Sequence, residues 1–255
     1  MITLLTDFGE KSINAARSKA WIRKELSDHE IIEISHSIHQ NDINEAVYVF
    51  NLIIDLLPQG TICFIGVDFD KRLIHKEIIY FEFQGLKIIT YNNGFGTLLT
   101  NDNNFQFYHL TDFTGFHSEV IIDCFGPQLR ELQLGSLSDQ PIINNDKLNI
   151  KMPLKAVTKG EMLQGQIIFI DSQDTCYTNI SKSAFDQFVE KSSFQIVLSR
   201  HERISKIWSQ LEITEGGSTY CYFNAVGNLT ISVHRGSAKR LYGLSRGHNL
   251  LIEKV

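Results

Sequence analysis

The first half of the chain alternates short, continuously apolar runs with amphipathic stretches. Ile2–Thr6 and residues 61–67 are mostly apolar, which is typical of strands covered on both faces, and residues 31–34 form another short strand-like run. Between them, apolar positions recur at helical spacing over residues 13–26 and again after Asp42. This alternation predicts βαβ units and a mostly parallel sheet with flanking helices.

The second helix and the segment after the third strand carry clear boundary signals. Asp42 and Glu45 have the spacing of a capping box, and Pro58 and Gly60 end the helical pattern. The runs EIIYFEF and KIITY flank the sequence Gln-Gly-Leu at 84–86, which predicts a hairpin. The Asn-Gly step in YNNG predicts a further turn.

A change of composition near residues 136–152 separates two regions. This stretch is polar and, with residue 153, holds two of the four prolines. Beyond it, short strand-like runs are interrupted by one predicted helix at about 183–191. We predict an α/β domain over 1–140, a linker over 141–152, and a smaller, all-β, barrel-like domain over 153–255.

Composition narrows the class of protein. The chain is 43% apolar and 21% charged, and its net charge of −5 gives no reason to expect a nucleic-acid or anionic-membrane partner. No apolar run reaches the roughly 20 residues that span a bilayer. The four cysteines are isolated, and the first ten residues lack a secretory signal. We therefore expect a cytoplasmic globular protein.

Two acidic residues end predicted strands. Asp7, in TDFG, follows the first strand; the upstream motifs that a kinase requires are missing. Its carboxylate either accepts the hydroxyls of a ribose at the carboxyl edge of the sheet or caps the next helix. Asp68, in GVDFD, pairs with Asp70 in a magnesium-dependent phosphatase site, orients a substrate beside a basic partner, or belongs to a solvated charged loop. Lys71, Arg72 and His75 are the nearby basic residues.

Two further segments carry candidate polar chemistry. His117, in TGFHSE, lies between a strand signal and an apolar run, where it is either a structural or a catalytic histidine. Residues 170–181 bring Asp171, Asp174, Thr175 and Asn179 to one strand connection. Such a cluster either binds an amino group or forms an ordinary turn.

The order of these segments resembles that of the S-adenosylmethionine (SAM) hydroxide adenosyltransferases, a family that also contains fluorinases and chlorinases. The matching segments run nearly the whole length of the chain: ITLLTDFG, IIEISHSIHQNDINEAVYVF, PQGTICFIGVD, YNNG, FHSE, FGPQL, IDSQDTCYTNI and FNAVGNLTISVHRGSA. The resemblance implies an α/β domain, a β-barrel domain and a homotrimer with SAM bound between subunits. It also implies attack of water, or of halide in the halogenases, on C5′ of SAM, without a separate cofactor or metal.

The resemblance also assigns roles to individual residues. Asp68 and His117 match two members of the hydrolytic triad, and His75 falls at the position of the triad arginine, with Arg72 as the alternative. An aspartate at position 68 favours water over halide. The remaining positions are matched to substrate contacts: Asp7 at the ribose, Asn14 beside it, Asp171 at the methionine ammonium, and Asn93, Thr175, Asn224 and Ala225.

Several departures from the family pattern fall in this predicted site. The glycine-containing loop of the family is replaced by DFDKRLIHK, and a histidine at position 75 would be charged in only part of the population near neutral pH. Thr175 and Ala225 replace an asparagine and a serine, and Ser118 stands where the hydrolases usually have glycine. We expect hydrolysis of SAM to adenosine and methionine; the alternative is a catalytically impaired protein that binds SAM or adenosine.

Overall fold

The chain folds into two compact units, Met1–Pro153 and Leu154–Val255. The structure is a computed structural model and describes residues 1–68, 73–102, 105–134, 141–144, 146–209 and 215–255. Part of the segment 141–152 packs within the first unit. The N–H of Ile143 donates to the carbonyl of Phe107 over 2.8 Å, and the Ile143 side chain is buried.

The first unit contains six strands and four helices among its described residues. The strands are β1 (Ile2–Thr6), β2 (Ile31–Ser35), β3 (Ile62–Gly66), β4 (Leu73–Phe83), β5 (Leu86–Tyr91) and β6 (Tyr108–Phe116). The helices are α1 (Ile13–Glu25), α2 (Ile43–Asn51), α3 (Phe95–Thr100) and α4 (Gly126–Leu134). Single turns of 3₁₀ helix at Ile54–Leu56 and His117–Glu119 and a π-helical turn at Ile121–Phe125 complete the unit.

The strands form one mixed sheet in the order β2-β1-β3-β5-β4-β6. β2, β1, β3 and β5 are parallel, whereas β4 runs antiparallel to both β5 and β6. From β1 the chain first adds β2 on one side and then β3 on the other, so the strand order reverses between β1 and β3. In open α/β sheets the ligand crevice lies outside the carboxyl ends of the strands at such a reversal. The predicted α/β class with a mostly parallel sheet is confirmed.

Local sequence signals explain the ends of these elements. Ser12, rather than Asp7, caps α1, and its side chain accepts the N–H of Asn14. Asp42 caps α2 by accepting the N–H of Glu45, as the capping-box spacing predicts. The β4–β5 hairpin turns through Gln84 and Gly85 with φ of 50° and 76°. Two consecutive positive φ values are the requirement of a type I′ turn, whose twist matches the flanking strands.

Apolar side chains cover both faces of this sheet. One buried cluster includes Phe64, Tyr91 and Phe125, and the other includes Ile65, Phe81 and Phe95. Because both faces are covered, the central strands β1 and β3 are buried at every position and mostly apolar, as the apolar runs in the sequence predict.

The second unit is an antiparallel sheet that is nearly closed into a barrel. Its strands are β7 (Val157–Lys159), β8 (Met162–Ile170), β9 (Cys176–Ser181), β10 (Phe194–Val197), β11 (Arg203–Ile204), β12 (Thr219–Phe223), β13 (Asn228–Val233) and β14 (Asn249–Lys254). They pair in the order β11-β10-β14-β8-β9-β13-β12, with β7 beside β8. The helices are α5 (Lys182–Val189) and α6 (Ala238–Tyr242). The predicted all-β, barrel-like fold of this region is therefore confirmed.

In the parts of the chain that the structure describes, no helix combines the length and the apolar character needed to cross a membrane.

Candidate active site

A buried hydrogen-bonded chain joins three strand ends at the carboxyl edge of the first sheet. Asp7 follows β1, Tyr91 ends β5, and His117 follows β6. His117 Nε2 lies 2.8 Å from Asp7 Oδ1, and His117 Nδ1 lies 2.9 Å from the Tyr91 hydroxyl. All three side chains are buried, so the histidine is oriented from both sides of its ring.

The chemistry of the three groups assigns their hydrogens. A carboxylate only accepts hydrogen bonds, so His117 Nε2 donates to Asp7. Burial, reinforced by the negative charges of Asp7 and Asp68, raises the pKa of Tyr91 well above its usual value. Tyr91 therefore keeps its proton, and its hydroxyl is hydrogen-bonded to His117 Nδ1.

Asp7 also fixes two loops through its second carboxylate oxygen. Asp7 Oδ2 accepts the backbone N–H of Asn41 over 3.0 Å and that of Asp68 over 3.1 Å. The first of these residues precedes α2, and the second follows β3. Asp7 does not cap α1. Its carboxylate instead joins the segments that contain His117, Asn41 and Asp68, at the point where the strand order reverses.

Of the two aspartates Asp7 and Asp68, Asp68 is the one whose carboxylate reaches solvent. Its side chain is 22% exposed, and its Oδ2 accepts from Lys76 Nζ over 2.7 Å. The backbone of Asp68 has a φ of 149°, a value that L-residues rarely adopt. The hydrogen bond from its N–H to Asp7 helps to hold this conformation, so the buried chain and the exposed carboxylate are directly connected.

The structure does not bring His75 to Asp68. His75 is exposed, and its Nδ1 lies 2.6 Å from Thr114 Oγ1 on β6. Side chains alternate between the two faces of a strand, so His75 and Lys76 point to opposite faces of β4. Lys76 is the one that reaches Asp68. Arg72, the other residue considered for this position, lies outside the described residues.

Two asparagines matched to substrate contacts have different surroundings. Asn93 is buried; its Nδ2 donates to the Val67 carbonyl over 2.8 Å, and its Oδ1 accepts the N–H of Phe95. It therefore joins the carboxyl end of β3 to the start of α3. Asn14 lies half-buried in the first turn of α1, where its N–H donates to Ser12.

The remaining matched residues lie in the second unit. Asp171 Oδ1 accepts the N–H groups of Gln173 and Thr175, both over 2.9 Å, while its Oδ2 accepts the Tyr177 hydroxyl. An open cavity of about 550 Å³ beside Thr175 is lined by polar and charged groups, among them Asp174, Ser237 and Arg240.

Asn224 and Ala225 form the turn between β12 and β13. Asn224 Oδ1 accepts the N–H groups of Val226 and Asn228, and Ala225 is exposed. In the described parts of the chain, no three His, Cys, Asp or Glu side chains are grouped so that they could hold a metal ion.

Sequence reasoning singled out Asp7, Asp68 and His117 but not Tyr91 or Lys76. Tyr91 directly precedes the Asn-Asn-Gly turn. Its position at the end of a predicted buried strand could have marked it as a candidate site residue. Lys76 had no comparable signal, because it lies among several basic residues and only strand alternation separates it from His75.

Two family models match most of the chain. The SAM hydroxide adenosyltransferase N-terminal domain matches residues 2–125, and the corresponding C-terminal domain matches residues 165–251.

Two solved structures have a similar fold. An uncharacterized conserved protein from Thermotoga maritima is 20% identical with a TM-score of 0.79, covering 99% of both chains. A conserved hypothetical protein from Thermus thermophilus is 18% identical with a TM-score of 0.68, covering 100% of this chain and 99% of the other. At these identities the two structures establish the fold alone. The two matching domain models show that the chain belongs to the SAM hydroxide adenosyltransferase family.

Proposed function

We propose that this protein hydrolyses SAM to adenosine and methionine. The observation that carries the proposal is the partly exposed Asp68 carboxylate, held at the carboxyl edge of the sheet next to the β1/β3 reversal. Its N–H is anchored on Asp7, and its Oδ2 is paired with Lys76. The backbone N–H and one carboxylate oxygen of Asp68 are therefore both held. A carboxylate held in this way is suited to orienting a water molecule and accepting its proton.

The proposed step is a displacement at C5′ of SAM. The water oxygen forms a bond to C5′ while the C5′–S bond breaks, and the bonding electron pair goes to sulfur. Methionine leaves as a neutral thioether, so the leaving group needs no acid catalyst. The proton lost by water passes to Asp68 and then to solvent, and the products are adenosine, methionine and one proton.

The buried residues have a positioning role in this proposal. His117 and Tyr91 orient Asp7, and Asp7 holds the Asp68 backbone. The resemblance to the family implies direct contact of His117 with the attacking water. Only 1% of the His117 side chain is exposed, so in this proposal His117 acts through Asp7 instead. The resemblance to the family also supports substrate-binding roles for Asp171 at the methionine ammonium and Asn224 at the adenosyl group.

Hydrolysis is tested by incubating the purified protein with SAM in water enriched in oxygen-18. Adenosine carrying the label at its 5′-hydroxyl, together with an equal amount of unlabelled methionine, is the expected result. D68N is the matched control, since asparagine keeps the size of the side chain but cannot act as a base. We expect D68N to lower kcat by about 100-fold to 10,000-fold. A wild-type protein that releases no adenosine above the D68N background contradicts the proposal.

The placement of His75 favours a second candidate, a SAM- or adenosine-binding protein without turnover. His75 Nδ1 lies 2.6 Å from Thr114 Oγ1 rather than beside Asp68, so the residue at the position of the triad arginine does not supply a cation to Asp68. Isothermal calorimetry with SAM and with adenosine distinguishes the two candidates. Heat of binding without release of labelled adenosine supports the binding protein, and absence of binding excludes it.

We also propose that the protein is a cytoplasmic homotrimer that requires SAM but no separate cofactor. Family membership and the absence, in the described residues, of a helix able to cross a membrane support this description. Light scattering coupled to gel filtration measures the oligomer, and a mass other than three chains contradicts the trimer. Activity unchanged by dialysis against a chelator is expected if no metal takes part.

A further inference from the structure

Lys76 lies at the same edge of the sheet as Asp68, although the two belong to different kinds of strand. Asp68 follows the parallel strand β3, whereas Lys76 lies near the start of the antiparallel strand β4. Because β4 runs in the opposite direction to β5, its beginning meets the carboxyl ends of the parallel strands. Lys76 Nζ consequently lies 2.7 Å from Asp68 Oδ2, with 34% of the lysine side chain exposed.

Both partners of this ion pair are held by the fold. At Lys76 the backbone of β4 is paired with β6, where Lys76 faces Phe113, and from Ile78 onward β4 is also paired with β5. Asp68 is held through its N–H by Asp7. The pair therefore has a defined geometry before any substrate arrives, which is the condition for orienting a reactant efficiently.

We propose that Lys76 is the positioning cation of the hydrolytic site, in the place where the sequence pointed to His75 or Arg72. This inference rests on the proposed function. Lys76 holds Oδ2, so Asp68 presents Oδ1 to the attacking water. The lysine ammonium acts as a compact point charge on a flexible stem.

An ion pair that serves stability alone makes different predictions. Partly exposed pairs contribute about 0–1 kcal/mol to folding, so loss of Lys76 should leave the protein folded. If Lys76 orients Asp68, its loss lowers kcat with little change in the KM for SAM. A small amine that occupies the vacated space should restore turnover, because the site reaches solvent.

The decisive experiment compares K76A, K76R and K87A for SAM hydrolysis, with and without ethylammonium chloride. K87A is the matched control, since Lys87 is a half-buried lysine at the opposite end of the same sheet. We expect K76A to lower kcat by about 100-fold, ethylammonium to raise it in a saturable manner, and K76R to retain more activity than K76A. K87A should behave like the wild type. Wild-type kcat in K76A, or a loss that neither ethylammonium nor K76R reverses, overturns the inference.

A second measurement tests the pair without relying on turnover. Lysines are reductively methylated with ¹³C-formaldehyde, which keeps their charge, and the Lys76 methyl signal is assigned from its absence in K76R. Substitution D68N should move this signal, whereas no movement overturns the pairing in solution. If the wild-type protein releases no adenosine, the proposed function fails while this measurement still decides whether Lys76 holds Asp68.

Discussion

The ring of His117 donates through Nε2 to Asp7 Oδ1 over 2.8 Å, and almost none of either side chain is exposed. The two residues are 110 positions apart in the chain. Their contact joins the end of β1 to the end of β6, and through Asp7 Oδ2 it extends to the backbone of Asp68. A change at His117 should therefore affect both the stability of the first unit and the geometry of the partly exposed Asp68 carboxylate.

Removal of the imidazole should strongly destabilise the first unit. H117L leaves the buried Asp7 carboxylate without its ring partner, and the loss of a hydrogen-bond partner costs a buried charged group more than the roughly 1–3 kcal/mol typical of a neutral one. H117Q should cost less, because its amide nitrogen can still donate to Asp7. Urea denaturation measures both free energies of unfolding. Equal stability of H117L and the wild type would contradict the role assigned to this contact.

The Tyr91 hydroxyl should make a smaller contribution. Y91F removes its hydrogen bond to His117 Nδ1 while keeping the aromatic packing, and we expect a loss of about 1 kcal/mol. Y108F is the control, because the Tyr108 hydroxyl makes only a 3.3 Å bond to Gln106 at the surface. The comparison is again by urea denaturation, and an equal effect of the two substitutions argues against a buried Tyr91–His117 bond.

His36 should make stability depend on pH. Burial, partly opposed by Glu33, lowers the pKa of His36 below its ordinary 6.5. The unfolded chain therefore takes up a proton at a higher pH than the folded one, and the stabilising contribution is complete above pH 6.5. It is lost as pH falls from there through the lowered pKa of the folded protein.

The variant H36N tests this pH dependence. Its amide can replace Nδ1 in the contact with Thr6 Oγ1 but does not titrate. We expect the unfolding free energy to fall less steeply in H36N than in the wild type between about pH 7 and pH 5. Measurements at about pH 8, where the imidazole is neutral in both states, provide the reference. Parallel curves for the two proteins over this range would exclude His36 as the source.

Gly96 should be intolerant of even a methyl group. A Cβ at this position would lie 2.5 Å from Phe107 Cε1 and 3.2 Å from Phe81 Cε1, and both rings are buried. Overpacking of this kind costs about 1–3 kcal/mol, whereas alanine gains about 1 kcal/mol of helix propensity. The two contacts involve core rings with little room to move, so we expect G96A to be destabilising overall.

A matched control for G96A is G216A in the second unit. Gly216 has no positive φ, and a Cβ there would meet nothing within 4 Å. Thermal unfolding of the two variants should show a lowered midpoint for G96A and an unchanged one for G216A. A G96A protein as stable as the wild type would mean that the Phe81 and Phe107 rings yield easily.

The sequence by itself determined the elements and much of the fold class. The unbroken apolar runs of β1 and β3 predicted a sheet covered on both faces, and the Asp42 cap predicted the start of α2. These signals are local, because hydrophobic periodicity and capping act over a few residues. The ordered motifs also carried the resemblance to the family, which the matching domain models establish.

Tertiary structure decided which contacts the candidate site residues make. Whether Asp7 caps a helix or joins other segments at the carboxyl edge of the sheet could not be read from TDFG, since the answer depends on His117, 110 positions away. The sequence pointed to His75 or Arg72, whereas the contact of Lys76 with Asp68 depends on which face of β4 is turned toward the end of β3. Adjacent residues of a strand point to opposite faces, so a shift of one position changes the partner completely. Long-range pairing and strand direction therefore set the chemistry around Asp68.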